Sequence, residues 1–188
     1  MSFKEPQPRA GHAAVGAGQK LYIWGGDSSY PIQETTIDTF DVPSLAWQEP
    51  QELCGSQPRN KMWGMAVATN GETAYFFGGK TESNTYSNTL FKIELSTLLC
   101  EEINHRTFST APKEKFFSCM LYFDEKLVVH GGYTSAGEET EELHIFDLRT
   151  SECAYISAAD PKILRVAKKS HVEQCAQNFD HAHFEMIG

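Results

Sequence analysis

The chain has 188 residues, 40% hydrophobic and 22% charged, the composition of a folded globular domain rather than of long disorder. A formal net charge of −9 disfavours tight binding to a nucleic-acid backbone or to an anionic membrane surface. The first eleven residues are polar and carry two prolines, so no signal peptide is read. No run reaches the apolar length of a membrane span, and an odd count of five cysteines points to reduced thiols in a cytoplasmic or nuclear setting.

The first predicted element is a strand over residues 13–17, which turns at Ala17-Gly18. A second strand, Leu21-Tyr22-Ile23-Trp24, runs into Gly25-Gly26. A third alternates around Phe40-Asp41-Val42, and a fourth lies near Trp47. The set then recurs. Residues 64–69 make a strand, Asn70-Gly71 a turn, and residues 74–77 a strand ending in Gly78-Gly79; Ile93-Glu94-Leu95 and Cys100 follow. It recurs again as residues 117–123, Asp124-Glu125, residues 127–130, Gly131-Gly132, Phe146-Asp147-Leu148 and Cys153. Equivalent positions stand 53 residues apart throughout, and self-similarity at a fixed period marks a repeat architecture.

Physical chemistry constrains each piece. The second strand is apolar at nearly every position, which demands cover on both faces of its sheet. Asn70-Gly71 is the strongest hairpin signal, because both central positions of a type I′ turn need φ > 0. The paired glycines supply backbone angles closed to other residues and allow close approach of another chain. Cys100 and Cys153 replace Trp47 as small wall-packing groups. They would lie in neighbouring sheets, too far apart for a disulfide.

The pattern resembles the kelch repeat: a four-stranded blade, an apolar strand ending in diglycine, and a downstream aromatic followed by Trp. The best copy carries Arg9, Gly11-His12, Leu21-Tyr22-Ile23-Trp24-Gly25-Gly26, Phe40 and Trp47. The second keeps Gly64, Tyr75-Phe76 and Gly78-Gly79; the third keeps Gly131-Gly132 and Phe146. The resemblance spans roughly residues 8–158. It implies an all-β partial kelch β-propeller of three four-stranded antiparallel blades plus a degenerate or incomplete fourth. Repeats are expected at about 8–54, 58–106 and 112–158 within a region 1–159. Residues 160–188 read as a degenerate fourth-repeat start, or alternatively as an amphipathic helix over 163–179. The expected structural residues are Gly25, Gly26, Gly78, Gly79, Gly131, Gly132 and Trp47. Propellers usually close with four to eight blades, so three leave open edges and predict self-association.

A search for chemistry assigns no catalytic residue, metal or cofactor. There is no G-x-S-x-G elbow, and the diglycines lack the helix start and Lys-Ser/Thr of a phosphate loop. His171, Cys175, His181 and His183 could hold zinc, but their spacing fits none of the common modules. Glu138, Glu139, Glu141 and Glu142 read as a solvated loop. An enzyme on a propeller scaffold, or an inactive truncated product, is the alternative of another class.

Function is therefore expected in loops. The segments after each diglycine (27–36, 80–88, 133–142) and the connections between blades (53–62, 104–115) reach one face in propellers of this kind. Arg9, Tyr30, Arg59, Lys61, Lys80, Tyr86 and Tyr133 are the candidate partner-binding residues, since Arg forks onto carboxylates and Tyr gives contact area at low entropy cost. The resemblance implies a non-catalytic adaptor binding a protein or peptide. The basic loop residues suggest an acidic or carboxylate-bearing partner. A substrate receptor of a cullin-type ubiquitin ligase is the narrower alternative, weakened because no BTB-BACK region or cullin box is recognisable.

Overall fold

A computed structural model of the chain describes residues 5–31, 35–58, 62–107 and 110–156. Among these residues all helical and strand structure is β. Backbone contacts group residues 1–155 as one compact unit. Residues 157–188 lie outside the described residues, and with them the expected fourth-repeat start, the rival helix and the four candidate zinc ligands.

Blade 1 runs Ala13–Ala17, Lys20–Trp24, Thr36–Asp41, with an outer strand broken into Ala46–Trp47 and Gln51–Glu52. Blade 2 runs Ala66–Thr69, Thr73–Phe77, Leu90–Glu94 and Leu99–Glu102; blade 3 runs Cys119–Phe123, Lys126–His130, Leu143–Asp147 and Glu152–Ile156. Neighbours within each blade pair antiparallel. The expected four strands are present in blades 2 and 3, but each sheet has a fifth. Cys54–Gly55, leaving blade 1, pairs parallel with Leu99–Glu102 at the outer edge of blade 2, and Arg106–Thr107 does the same to Glu152–Ile156 of blade 3. The connection between blades thus covers part of the next blade's exposed edge, the most vulnerable part of any sheet.

Strand period decides which side of a blade faces which neighbour. In Thr73–Phe77, Ala74 and Phe76 enter the core shared with blade 1, whereas Tyr75 and Phe77 enter the core shared with blade 3. All four are buried, which explains why this strand does not alternate in hydrophobicity. Trp24 meets Phe76 edge-on, with ring centroids 4.9 Å apart, across the first seam. Tyr75 stacks on Tyr122 at 5.9 Å, and Phe77 lies 5.5 Å from Phe146 across the second. Cys100 and Cys153 are fully buried free thiols, one in each core. Burial pushes their thiols up to about 12 and about 11, so both behave as inert packing groups.

Asn70-Gly71 does not form a two-residue type I′ turn. Asn70 has negative φ, and its side chain accepts hydrogen bonds from the Glu72 and Thr73 amides at 3.0 and 2.7 Å, giving a longer loop. The two positive φ values instead occur at Asp124 and Glu125, 46° and 55°. The repeating acid at 41, 94 and 147 also has a specific job: Asp41 accepts from the Ser44 amide, Glu94 from the Thr97 hydroxyl, and Asp147 from the Arg149 and Thr150 amides. These carboxylates cap the turn into the outer strand, where Leu45, Leu98 and Ser151 share positive φ.

Candidate functional site

The face at the start of each inner strand has a backbone scaffold that repeats with the blades. Ala10 bridges Asp27, Met62–Trp63 pairs with Lys80–Thr81, and Lys115–Phe116 pairs with Tyr133–Thr134. Each inter-blade connection is thus pinned to its own diglycine loop. The blades are then stitched together. The Gly26 amide donates to the Met62 carbonyl and the Gly79 amide to the Lys115 carbonyl, both at 2.8 Å. The Gly64 amide donates to Gly11, and the Phe117 amide to Gly64, both at 2.7 Å. The first glycine of the pair has no room for a side chain: a Cβ on Gly25 would sit 2.5 Å from the Met62 carbonyl oxygen, and one on Gly78 2.4 Å from that of Lys115.

Side chains on this scaffold separate the predicted residues. Lys80, Tyr86 and Tyr133 come together around an aromatic cluster. The Lys80 ammonium lies 5.3 Å from the Trp63 ring, 5.1 Å from Tyr86 and 5.5 Å from Phe116. Phe116 contacts Trp63, Tyr86, Phe117 and Tyr133 with centroids 4.8–5.8 Å apart. The Tyr133 hydroxyl bonds Glu139 at 3.1 Å, and that bond and charge hold the phenol above its ordinary range. Phe117 is 52% exposed and Tyr133 39%. Cation–π attraction holds the Lys80 stem in place, and among the described residues no carboxylate pairs with its charge.

The other predicted residues stand elsewhere. The Arg9 side chain is buried: its guanidinium lies 2.7 Å from Asp38 and donates to the Gly25 carbonyl at 3.2 Å, so it braces blade 1 from within. Tyr30 is exposed on the blade 1 loop. Arg59 and Lys61 lie outside the described residues. Trp47 lies edge-on to Phe40 at 5.2 Å on the outward side of blade 1. Sequence reading missed Trp63, Phe116 and Phe117. A signal is present, since Trp63 and Phe116 are one period apart and match Ala10 in blade 1, but Phe117 opens an apolar run, 117–123, that reads as one strand.

A second charged cluster lies under the blade 3 connection. Lys115 is fully buried and contacts Glu142 at 3.0 Å, while the exposed Lys113 reaches the other carboxylate oxygen at 3.1 Å. Burial pushes Glu142 up, but the two lysines outweigh it and leave its carboxyl below the usual range. His144, also fully buried, has Nε2 3.2 Å from the Thr110 carbonyl. Burial and the Lys115 charge push its imidazole below the ordinary value. The bond to a carbonyl and the lowered value together imply a neutral ring with the proton on Nε2. The equivalents in blade 2 are Met62, Thr89 and Phe91, a set without charge. The cluster is thus an internal brace like Arg9–Asp38. Among the described residues no three His, Cys, Asp or Glu side chains gather as a metal set.

Comparison with known proteins supplies an independent reading. Residues 2–174 match the profile of the KLHDC2/KLHL20/DRC7 Kelch-repeats domain. Human Kelch domain-containing protein 1 is 31% identical over 141 residues, covering 70% of this chain and 34% of that protein. Acyl-CoA-binding domain-containing protein 4 of Arabidopsis thaliana is 26% identical over 145 residues, 77% of this chain and 21% of that protein. The human Rab9 effector protein with kelch motifs is 29% identical over 86 residues, 44% and 23% respectively. The chain therefore spans about a third or less of the length of these relatives.

Proposed function

The chain belongs to the kelch-repeat family, whose members are in general protein-interaction modules, and from that premise we propose that it is a non-catalytic adaptor. It binds an acidic peptide or protein segment on the face that carries the Lys80 cluster. The observation behind this reading is a lysine held over three aromatic rings with no carboxylate partner among the described residues, beside the exposed rings of Phe117 and Tyr133. In a protein of net charge −9, such a spot selects a partner carboxylate by charge and its apolar neighbours by area. Arg59 and Lys61, two to four residues before Trp63 in sequence, and Tyr30 extend the same proposal to neighbouring loops. Arg9 is not part of it, because Asp38 already occupies its guanidinium.

Panning a displayed random dodecapeptide library on the purified chain tests this. Selected peptides should be enriched in Asp and Glu, and Lys80→Glu should weaken them at least tenfold. Neutral or basic peptides, or binding indifferent to Lys80→Glu, would refute the placement.

A second reading, self-association, is favoured by the outward side of blade 1. Leu21, Ile23, Phe40 and Trp47 are only part-buried there and Val42 is 51% exposed. Their equivalents Ala74, Phe76, Ile93, Leu95 and Cys100 are exposed by at most 8% beneath blade 1. A sheet face of this kind calls for a second copy. Sedimentation should show a concentration-dependent dimer that Val42→Asp abolishes; a monomer at all concentrations would exclude it.

A further inference from the structure

Phe117 occupies a position built for glycine. In blades 1 and 2 the equivalents are Gly11 and Gly64, with φ of +64° and +66°. Phe117 adopts the same left-handed backbone at φ +54°, where a bulky L-residue is strained. The seam dictates the conformation, because the amide at this position must reach the preceding blade: Phe117 donates to Gly64 as Gly64 donates to Gly11. The backbone therefore asks for glycine, and the third blade carries the bulkiest apolar side chain of the three.

Burial does not account for the choice. Core residues here are exposed by at most 8%, whereas Phe117 is 52% exposed. Its ring rests on Phe116 at 4.8 Å and on the edge of Trp63 at 5.6 Å. It approaches Gly64 closely enough that a Cβ there would sit 3.2 Å from the ring. The ring is held at the base and open at the top, on the same Phe116 that supports the Lys80 ammonium. Strain retained at an exposed, well-braced aromatic is the mark of a recognition element rather than of a folding one.

We propose that Phe117 is the apolar anchor of the partner site: it packs against an aliphatic or aromatic side chain that lies within a few residues of the carboxylate engaged by Lys80. This rests on the adaptor reading above and narrows it to a bipartite motif, one acidic and one apolar side chain. Both recognition points stand on Phe116, so one short extended peptide spans them. The partner contributes a carboxylate for Lys80 and an apolar cover for the open ring.

The test uses the complete chain and the peptides selected by panning, with Phe117→Gly and Phe117→Asn. Both replacements tolerate left-handed backbone, so the seam keeps its hydrogen bond. The expected result is a melting temperature equal to or above that of the parent, together with at least tenfold weaker peptide binding. Mutating the apolar residue of a selected peptide to Ala should weaken binding to the parent chain but not further weaken binding to Phe117→Gly. Undiminished binding by Phe117→Gly would overturn the anchor while leaving the Lys80 reading intact. A large fall in melting temperature for both variants would show that the ring closes the seam, and would overturn it too. Loss of acidic preference in the selected peptides would overturn the adaptor reading itself.

Discussion

The two seams between blades share their backbone and differ in what stands on it. Each carries a bond from the second glycine of a pair and a bond along the line Gly11, Gly64, Phe117. Above the first seam the repeat places Ala10 and Asp27, with Trp63 beyond. Above the second it places Trp63, Lys80, Phe116, Phe117 and Tyr133, the aromatic cluster with its cation. The period fixes geometry and leaves side chains free, so recognition is added at a seam without disturbing the fold. That separation is the general way in which function is grafted onto a repeat scaffold.

The sharpest way to break the comparison is to attack the shared part. Gly78→Ala should cost roughly 2–5 kcal/mol, adding left-handed strain to a backbone clash. Gly131→Ala, where the nearest described atom is the Thr140 oxygen at 3.6 Å, should cost only about 1–2 kcal/mol. Equal losses in chemical denaturation would mean that the close approach of the next blade is not what requires glycine.

Next in size is the brace. Lys115→Met installs the blade 2 residue and leaves the Glu142 carboxylate with only the exposed Lys113 as a partner, with an expected loss of about 1–3 kcal/mol. Adding Glu142→Thr, the blade 2 partner, should recover most of it. If the double variant stays as unstable as the single, the blades are not interchangeable at this position.

Smaller again is the dependence on pH. His144 is held below its ordinary value, so the unfolded chain takes up a proton that the folded chain resists. Stability must fall as pH drops through about 6.5. Glu142, held low, adds stability above its ordinary value and gives it up only in stronger acid. Thermal melts between pH 7.5 and 5 should show this fall, and His144→Phe, the blade 2 residue, should flatten it. An unchanged slope would assign the titration to another group. Smallest of all, Tyr133→Phe removes one exposed hydrogen bond to Glu139 and should change stability by less than about 0.5 kcal/mol.

Much of the scaffold was legible in the sequence because it is periodic. The diglycines, the apolar runs before them and the acids at 41, 94 and 147 recur at one spacing, and repetition reports backbone requirements directly. The fifth strand at the outer edge of blades 2 and 3 was not legible: Cys54–Gly55 and Arg106–Thr107 pair parallel with that edge and share no side-chain signature. Of the candidate site, Lys80, Tyr86 and Tyr133 were found as polar or aromatic loop residues. Phe117 was hidden because an aromatic inside an apolar run reads as strand, and only its φ reveals that it sits on a glycine position. Arg9 read as a surface cation for the opposite reason, since its partner Asp38 lies 29 residues away in the third strand.

Amide hydrogen exchange of the whole chain, with and without a peptide selected by panning, compares the two seams in one experiment. Added protection should fall on residues 80–86, 115–118 and 133–134. Their blade 1 counterparts, 10–12 and 27–31, should be unaffected. Protection confined to the hairpin turns near Gly18 and Gly71, or spread equally over both seams, would contradict the claim that recognition is carried by the Lys80 cluster.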